Sequence, residues 1–145
     1  MLVLSGPNLQ LLGRREPEIY GKDTLADIHG RLAALASERG ASVDCRQSNH
    51  EGELLDWLGA APWEGFAGVL LNGGAFTHTS LALYDAIRAI GLPVVEVHLS
   101  NPEAREAYRK ESKLAAACVG KVVGFGGDSY LLALRGLLDR LDAKR

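Results

Sequence analysis

Short apolar runs rich in β-branched residues alternate with amphipathic patterns along the whole chain, and this alternation constrains the fold most strongly. The apolar runs predict five strands, at residues 2–4, 42–46, 66–71, 94–98 and 119–123. The spacing of apolar residues between them predicts helices at residues 24–39, 51–58, 80–90, 103–117 and 130–141. Strands that alternate with helices form a parallel sheet covered on both faces. The sequence therefore predicts an α/β fold with three layers.

Chain length and strand number narrow the topology. A chain of 145 residues is long enough for one domain with a core, and we expect residues 1–145 to form a single domain. For five parallel strands in a domain of this size we expect the flavodoxin-like order 2-1-3-4-5. Ligands bind such sheets beyond the carboxyl ends of the strands, where the strand order reverses. The loops after strands 1, 3 and 4 are therefore the candidate site.

Composition excludes several classes of protein. The net charge is −2 at pH 7, which gives no indication of a basic surface that would bind nucleic acid. No apolar run is long enough to cross a membrane, and the first residues enter a predicted strand without room for a signal peptide. We therefore expect a cytoplasmic protein that binds neither nucleic acid nor membranes. Cys45 and Cys118 are isolated in sequence, which predicts neither a disulfide framework nor a zinc site.

A histidine and a carboxylate arrive together at the end of strand 4. Side chains two apart on a strand point to the same face, so Glu96 can orient and charge the imidazole of His98. Leu99 and Ser100 then offer backbone N–H groups where the chain turns toward its next helix. A proton donor beside an anion-binding turn suits the elimination of a leaving group from an acidic substrate. A buried histidine satisfied by one hydrogen bond is the alternative, and for a lone histidine it is the commoner case.

The loop after strand 1 runs for nearly twenty residues before the next helix, whereas such loops usually have about 2–6. It carries Arg14, Arg15 and Tyr20. A tyrosine that acts as a base must lose its proton near neutral pH although its reference pKa is about 10, and nearby arginine charge favours the phenolate. Closure of such a loop would also expel water from the site. A partly disordered surface excursion is the alternative.

Polar groups and glycines follow strand 3. Gly73 and Gly74 let the backbone approach a ligand closely, and Asn72 beside them can hold a water or a carbonyl oxygen. The same residues also fit an ordinary tight turn followed by a helix cap. Asp85, in the next helix, is equally well explained as a solvent-facing residue.

Two arginines follow strand 4. Arg105 and Arg109 are four residues apart, which places them on one face of the predicted helix at 103–117. Like charges at that spacing repel mildly unless an anion joins them. A solvated face is the alternative, because Glu106 and Lys110 form an ordinary i,i+4 pair on the same predicted helix.

Three kinds of chemistry lack the residues they need. A Schiff base needs a desolvated lysine, and no lysine lies at the ends of strands 1, 3 and 4. A metal mechanism needs a ligand cluster, and no third ligand is spaced to complete a set with Glu96 and His98. Redox chemistry needs a nucleotide cofactor, and no G-x-G-x-x-G follows a strand. We expect neither a metal nor a cofactor.

Taken together, these motifs resemble type II 3-dehydroquinate dehydratase over nearly the whole chain, from about residue 5 to about residue 134. The motifs are GPNL at 6–9, LGRREP at 12–17 with YG at 20–21, QSNHEG at 47–52, THTS at 77–80 and EVHLSN at 96–101. Each motif alone is weak, but their order and separation are highly specific. The resemblance implies a flavodoxin-like fold and a cofactor-free anti elimination of water from 3-dehydroquinate, through an enolate, to give 3-dehydroshikimate.

The resemblance also implies a role for each matching residue. Tyr20 removes the proton next to the ketone, and Arg15 holds that tyrosine as phenolate. Asn8 holds the enolate through a water. His98, with Glu96 behind it, protonates the departing hydroxyl. Contacts to the small anionic substrate carry over to Asn72, Gly74, His78, Asp85, Leu99, Ser100 and Arg109.

Family members are usually dodecamers built from trimers, so the resemblance implies a homo-oligomer in which Asp85 reaches the site of a neighbouring subunit. The chain departs from the family pattern at Ser5, Phe76, Tyr84, Glu103, Glu111 and Ser129. None of these removes a catalytic residue, but Glu103 and Glu111 add negative charge that we expect to weaken substrate binding or alter subunit contacts. Biosynthesis of aromatics and breakdown of quinate both stay open as the role.

Two other functions share this fold. A binding or assembly protein without catalysis is the main alternative, and the complete set of matching residues argues against it. A flavodoxin-like nucleotide or phosphoacceptor module would need a flavin-phosphate loop or an acidic cluster after strand 1, and Gly6-Pro7-Asn8 is neither.

Overall fold

A five-stranded parallel sheet forms the centre of the computed structural model, which describes all residues 1–145. Its strands are β1 (Leu2–Ser5), β2 (Asp44–Gln47), β3 (Val69–Asn72), β4 (Val94–His98) and β5 (Gly120–Val123). They lie in the order β2-β1-β3-β4-β5, and every pair is parallel. The predicted α/β fold and strand order 2-1-3-4-5 are confirmed.

Helices cover both faces of this sheet. They are α1 (Pro17–Tyr20), α2 (Leu25–Glu38), α3 (Glu51–Ala60), α4 (Leu81–Ala89) and α5 (Asp128–Asp142). Helix α1 is a single turn inside the long loop after β1, and the other four are the covering layers. None of these helices combines the length and the apolarity that crossing a bilayer requires.

Side chains of the central strands alternate between two separate cores. Val3 packs into the core beneath α2 and α5, whereas Leu2 and Leu4 pack into the core beneath α3 and α4. Every residue of β1, β3 and β4 is buried. Because both faces of these strands are covered, they are almost continuously apolar, and the polar residues Glu96 and His98 on β4 are exceptions that need partners.

The helix predicted at residues 103–117 is wrong. That segment contains three separate 3₁₀ turns, at Pro102–Ala104, Ala107–Arg109 and Ala115–Ala117. The predicted pair of Glu106 with Lys110 is therefore also wrong, since Glu106 instead forms an ion pair with Arg109 at 2.8 Å. The other predicted elements are present, with their ends shifted by a few residues.

Backbone groups of this segment bond to the rest of the protein, and this is the physical reason that no helix forms. The N–H of Lys113 donates to the carbonyl oxygen of Thr77 at 2.8 Å. The carbonyl oxygen of Glu111 accepts a hydrogen bond from His78 Nδ1 at 2.7 Å. Groups that bond outward in this way are not available for the i→i−4 ladder of a helix. Tertiary contacts thus override the helical propensity of the segment.

Close backbone approach at the end of β1 makes a glycine necessary at Gly6. A Cβ atom there would lie 2.6 Å from the carbonyl oxygen of Gly73, so Gly6→Ala requires the backbone to shift. We expect Gly6→Ala to lower the free energy of unfolding by about 1–3 kcal/mol, as overpacking does. Chemical denaturation measures this change. The control is Gly30→Ala at an exposed position of α2, where an added Cβ would meet no atom outside the helix's own backbone and stability should rise by about 1 kcal/mol. Equal stability of the two variants would contradict the close approach.

Candidate active site

A cavity of about 210 Å³ opens at the carboxyl ends of β1, β3 and β4, where the predicted switch in strand order places it. The structure brings most of the predicted site residues to its walls, namely Asn8, Arg15, Tyr20, Asn72, Gly74, His78, His98, Leu99, Ser100 and Arg109. Two predicted residues lie elsewhere. Glu96 is buried behind His98, and Asp85 lies on the exposed side of α4 away from the cavity.

His98 and Glu96 form a buried pair on β4. The Nε2 atom of His98 lies 2.6 Å from Oε1 of Glu96, whose side chain is completely buried. Burial by itself raises the pKa of Glu96, but the hydrogen bonds from His98 and Ser112 and the charge of Lys121 outweigh it. The pKa of Glu96 therefore lies below its ordinary value, and the carboxylate accepts the Nε2 proton of His98. This leaves Nδ1 as the ring nitrogen free for another partner.

Tyr20 lies beside two guanidinium groups. The Cζ atoms of Arg15 and Arg105 are 5.3 Å and 5.2 Å from the centre of its ring. At these distances each guanidinium is attracted to the electrons of the ring. Arg15 comes from the loop after β1 and Arg105 from the segment after β4, so two loops meet at Tyr20.

The sequence predicted Arg105 and Arg109 as a pair that an anion could join, but the resemblance assigned a site role to Arg109 alone. Their spacing was a usable signal, but the predicted helix placed both arginines on one face and offered no link to the loop after β1. In the structure Arg105 also donates to the hydroxyl of Ser100, with Nη1 at 3.4 Å from Oγ.

The loop after β1 is anchored at its beginning. Leu9 and Leu12 are buried in the core beneath α2 and α5. Asn8 between this anchor and β1 has a left-handed backbone, with φ at 68°, and its N–H donates to Oδ1 of Asn49 at 2.9 Å. Non-glycine residues rarely adopt this conformation, and strain of this kind is often found at functional sites. The anchor holds Asn8 at the cavity wall, and Arg15 and Tyr20 further along the loop also line the cavity.

The loop after β3 presents polar groups in fixed orientations. The side-chain oxygen of Asn72 accepts from the N–H of Gly74 at 3.1 Å. Gly74 has φ at +54°, and a Cβ atom there would lie 3.1 Å from the Pro7 ring. His78 donates through Nδ1 to the carbonyl of Glu111, so its Nε2 is left as an acceptor.

Positive charge predominates on the cavity wall. Arg15, Arg105 and Arg109 line the cavity, and no aspartate or glutamate does. The two acidic departures that were expected to disturb the site, Glu103 and Glu111, do not line it. This arrangement suits a small anion. No group of three or more His, Cys, Asp or Glu side chains is placed to hold a metal ion.

Comparison with known proteins identifies the family. The model of the family "Dehydroquinase class II" matches residues 1–138. This chain belongs to the class II dehydroquinase family. The 3-dehydroquinate dehydratase of Rhizobium johnstonii is 56% identical over 137 residues, which is 94% of this chain and 94% of that protein. The 3-dehydroquinate dehydratase of Thermus thermophilus is 54% identical over 142 residues, 98% of this chain and 95% of that protein.

Solved structures of class II dehydroquinases share the fold. The type II dehydroquinase from Butyrivibrio crossotus superposes with a TM-score of 0.92 at 37% identity, covering 94% of each chain. The type II dehydroquinase from Propionibacterium acnes superposes with a TM-score of 0.91 at 40% identity, covering 96% of this chain and 95% of that chain.

Two departures from the dehydroquinase pattern are buried and hydrogen-bonded in this chain. Ser5 Oγ lies 2.9 Å from the hydroxyl of Tyr130, and burial raises the pKa of Tyr130 to about 12, so this phenol stays neutral. Ser129 Oγ accepts from the N–H of Phe125 at 3.0 Å. The hydroxyl group of each buried serine therefore has a hydrogen-bond partner.

Proposed function

We propose that this chain is a 3-dehydroquinate dehydratase, a hydro-lyase, that removes water from 3-dehydroquinate by anti elimination through an enolate. Its membership of the class II dehydroquinase family and its identity to 3-dehydroquinate dehydratases above one half support this activity. One observation carries the mechanism. Tyr20 beside two guanidiniums and His98 backed by Glu96 face the same small cavity.

Tyr20 is the proposed base. As phenolate it takes the proton next to the ketone, and the electrons of that C–H bond form the enolate. The guanidinium groups of Arg15 and Arg105, which lie 5.3 Å and 5.2 Å from the centre of the Tyr20 ring, supply positive charge beside that phenolate. Asn8, held with a left-handed backbone at the cavity wall, orients a water toward the enolate oxygen.

His98 is the proposed acid. The enolate electrons return to form the new carbon–carbon double bond, the bond to the hydroxyl breaks, and a proton from Nδ1 of His98 makes the leaving group water. Tyr20 gains one proton and His98 loses one, so exchange with solvent restores both and no oxidant or reductant is needed. Glu96 stabilises the charged imidazole before this transfer.

Substrate binding is assigned to the remaining cavity residues. The backbone N–H groups of Leu99 and Ser100 and the guanidinium of Arg109 suit the anionic substrate. Asn72, Gly74 and His78, held by the hydrogen bonds of the loop after β3, suit its hydroxyl groups. We propose that residues 1–145 form one catalytic domain around this cavity.

We also propose a homo-oligomer, built from trimers into a dodecamer. Leu81 is 66% exposed, and it lies one helical turn from Asp85 on the same face of α4. Contact between subunits would cover Leu81 and carry Asp85 to the site of a neighbour. Light scattering of the purified protein measures the mass, and a monomer at micromolar concentration would contradict this proposal.

Turnover is tested directly with the purified protein and 3-dehydroquinate. We expect the absorbance of a conjugated enone to appear, and we expect activity to survive chelators and borohydride added with substrate, because no lysine lines the cavity. Borohydride without substrate is the control. Absence of enone would refute the activity, and inactivation that needs both substrate and borohydride would indicate an imine.

Replacement of His98 separates acid catalysis from binding. We expect His98→Ala to lower kcat by about 10²–10⁴-fold with a small change in KM, because a proton given to a leaving group matters only in the transition state. Steady-state kinetics measure both constants. A rise in KM alone would make His98 a binding residue.

Tyr20 and Arg15 are expected to act as one unit. Tyr20→Phe should fold normally and be nearly inactive, Arg15→Ala should be similarly impaired, and the two losses in kcat should be strongly non-additive. The matched control is Arg14→Ala, since Arg14 is an exposed arginine of the same loop that does not line the cavity. Simple addition of the losses, or substantial turnover by Tyr20→Phe, would place the base elsewhere.

A further inference from the structure

The carboxylate behind His98 has two partners that the elimination mechanism leaves without a role. Glu96 is completely buried on β4, and its contacts extend beyond His98. The hydroxyl of Ser112 lies 2.9 Å from Oε1 and 2.8 Å from Oε2. The Nζ atom of Lys121 lies 3.9 Å from Oε1. Neither Ser112 nor Lys121 lines the cavity, and the carboxylate of Glu96 is the polar side chain that both of them approach.

The direction of the hydrogen bond from Ser112 is determined by its other neighbours. A serine hydroxyl has one proton to donate and two lone pairs that accept. The backbone N–H groups of Leu114 and Ala115 both donate to Ser112 Oγ, at 3.1 Å and 3.0 Å. Both lone pairs are therefore occupied, and the single proton is directed at Glu96. A carboxylate that receives it between both oxygens is held in the ionised form and in one orientation.

Lys121 supplies charge rather than a hydrogen bond. It is the direct neighbour of Glu96 in the pairing of β5 with β4, and its side chain is 31% exposed. At 3.9 Å its ammonium is beyond hydrogen-bond distance but close enough to favour the anion. Cys118 is the other titratable neighbour, and burial raises the pKa of its thiol to about 12, so it remains neutral.

We propose that Ser112 and Lys121 are positioning residues of the elimination, which keep Glu96 an oriented anion so that His98 holds a proton on Nε2 and presents Nδ1 to the substrate. The proposal rests on the proposed role of His98 as acid. When Nδ1 gives its proton to the leaving hydroxyl, the neutral ring keeps the proton on Nε2. That N–H still donates to Glu96, so the ring does not turn. The same nitrogen is then ready to be protonated again from solvent.

Kinetics of two variants test this arrangement. We expect Ser112→Ala to lower kcat about 10- to 100-fold, the range for a lost hydrogen bond to a charged group. Lys121→Met should lower kcat about threefold to tenfold, since a partly exposed charge is screened. The KM of each variant should stay within about twofold of the original value, because neither residue touches the substrate.

The pH dependence of kcat gives a readout that a merely structural role would not change. Loss of the Ser112 donor or the Lys121 charge raises the pKa of Glu96, so the acidic limb of the profile should move to higher pH in both variants. Lys121→Arg should restore the original profile because it keeps the charge. Lys113→Met is the matched control, since the ammonium of Lys113 pairs with Glu111 and not with Glu96, and it should leave kcat and the profile unchanged.

The tautomer of His98 tests the proposal without any turnover. The chain has four histidines, and ¹H–¹⁵N spectra of the histidine-labelled protein distinguish protons on Nδ1 from protons on Nε2. We expect neutral His98 to carry its proton on Nε2 in the original protein and to gain the Nδ1 form in Ser112→Ala. A proton on Nδ1 in the original protein, or an unchanged profile in a folded Lys121→Met variant, would overturn the proposal.

These readouts separate the failure of this inference from the failure of the proposed function. A protein with the Nε2 tautomer and no turnover of 3-dehydroquinate would refute the activity and leave the Glu96 network in place. An active protein whose kcat, pH profile and His98 tautomer are the same in Ser112→Ala and Lys121→Met as in the original would refute the network alone. If Ser112→Ala does not fold, Lys121→Met and the spectra of the original protein still decide.

Discussion

Burial of a single carboxylate, that of Glu96, is the constraint on which both the site and the path of the chain after β4 depend. A charged group removed from water costs several kcal/mol unless it is paired and hydrogen-bonded. Glu96 has no exposed surface, and its partners come from three parts of the chain: β4, β5 and the segment between them. In that segment Ser112 donates to Glu96, and the backbone groups on either side of Ser112 bond to the loop after β3.

The parallel sheet explains why so few loops suffice for the site. Three neighbouring strands end at the same edge, so the polar residues that follow them meet without any long excursion. The exception is the loop after β1, which is long and carries Tyr20. Its buried leucines, Leu9 and Leu12, anchor it to the core. Its second half places Arg15 beside the Tyr20 ring, which Arg105 approaches from the segment after β4.

Local patterns predicted the parts of the fold and site that depend on local geometry. The two-residue period of a strand was enough to place Glu96 and His98 on one face, and the structure joins them by a hydrogen bond. The alternation of strands and helices predicted the sheet, and hence the edge where Asn8 and Asn72 meet. The helix predicted at 103–117 was wrong because helical propensity is a local property. It contains nothing about a hydrogen-bond partner on another element, such as Glu96 for Ser112.

The sequence by itself determined the α/β class and the strand order, because these follow from periodicity and from the ends of parallel strands. Its family motifs also named most of the residues that line the cavity, although not Arg105. Only the tertiary structure decided that Arg105 approaches Tyr20, that Ser112 donates to Glu96 and that Lys121 lies beside it. Each of these contacts joins residues from separate elements. Buried polar groups need hydrogen-bond partners once water is excluded, and the chain between the strands takes the path that supplies them. A local sequence pattern does not contain that path.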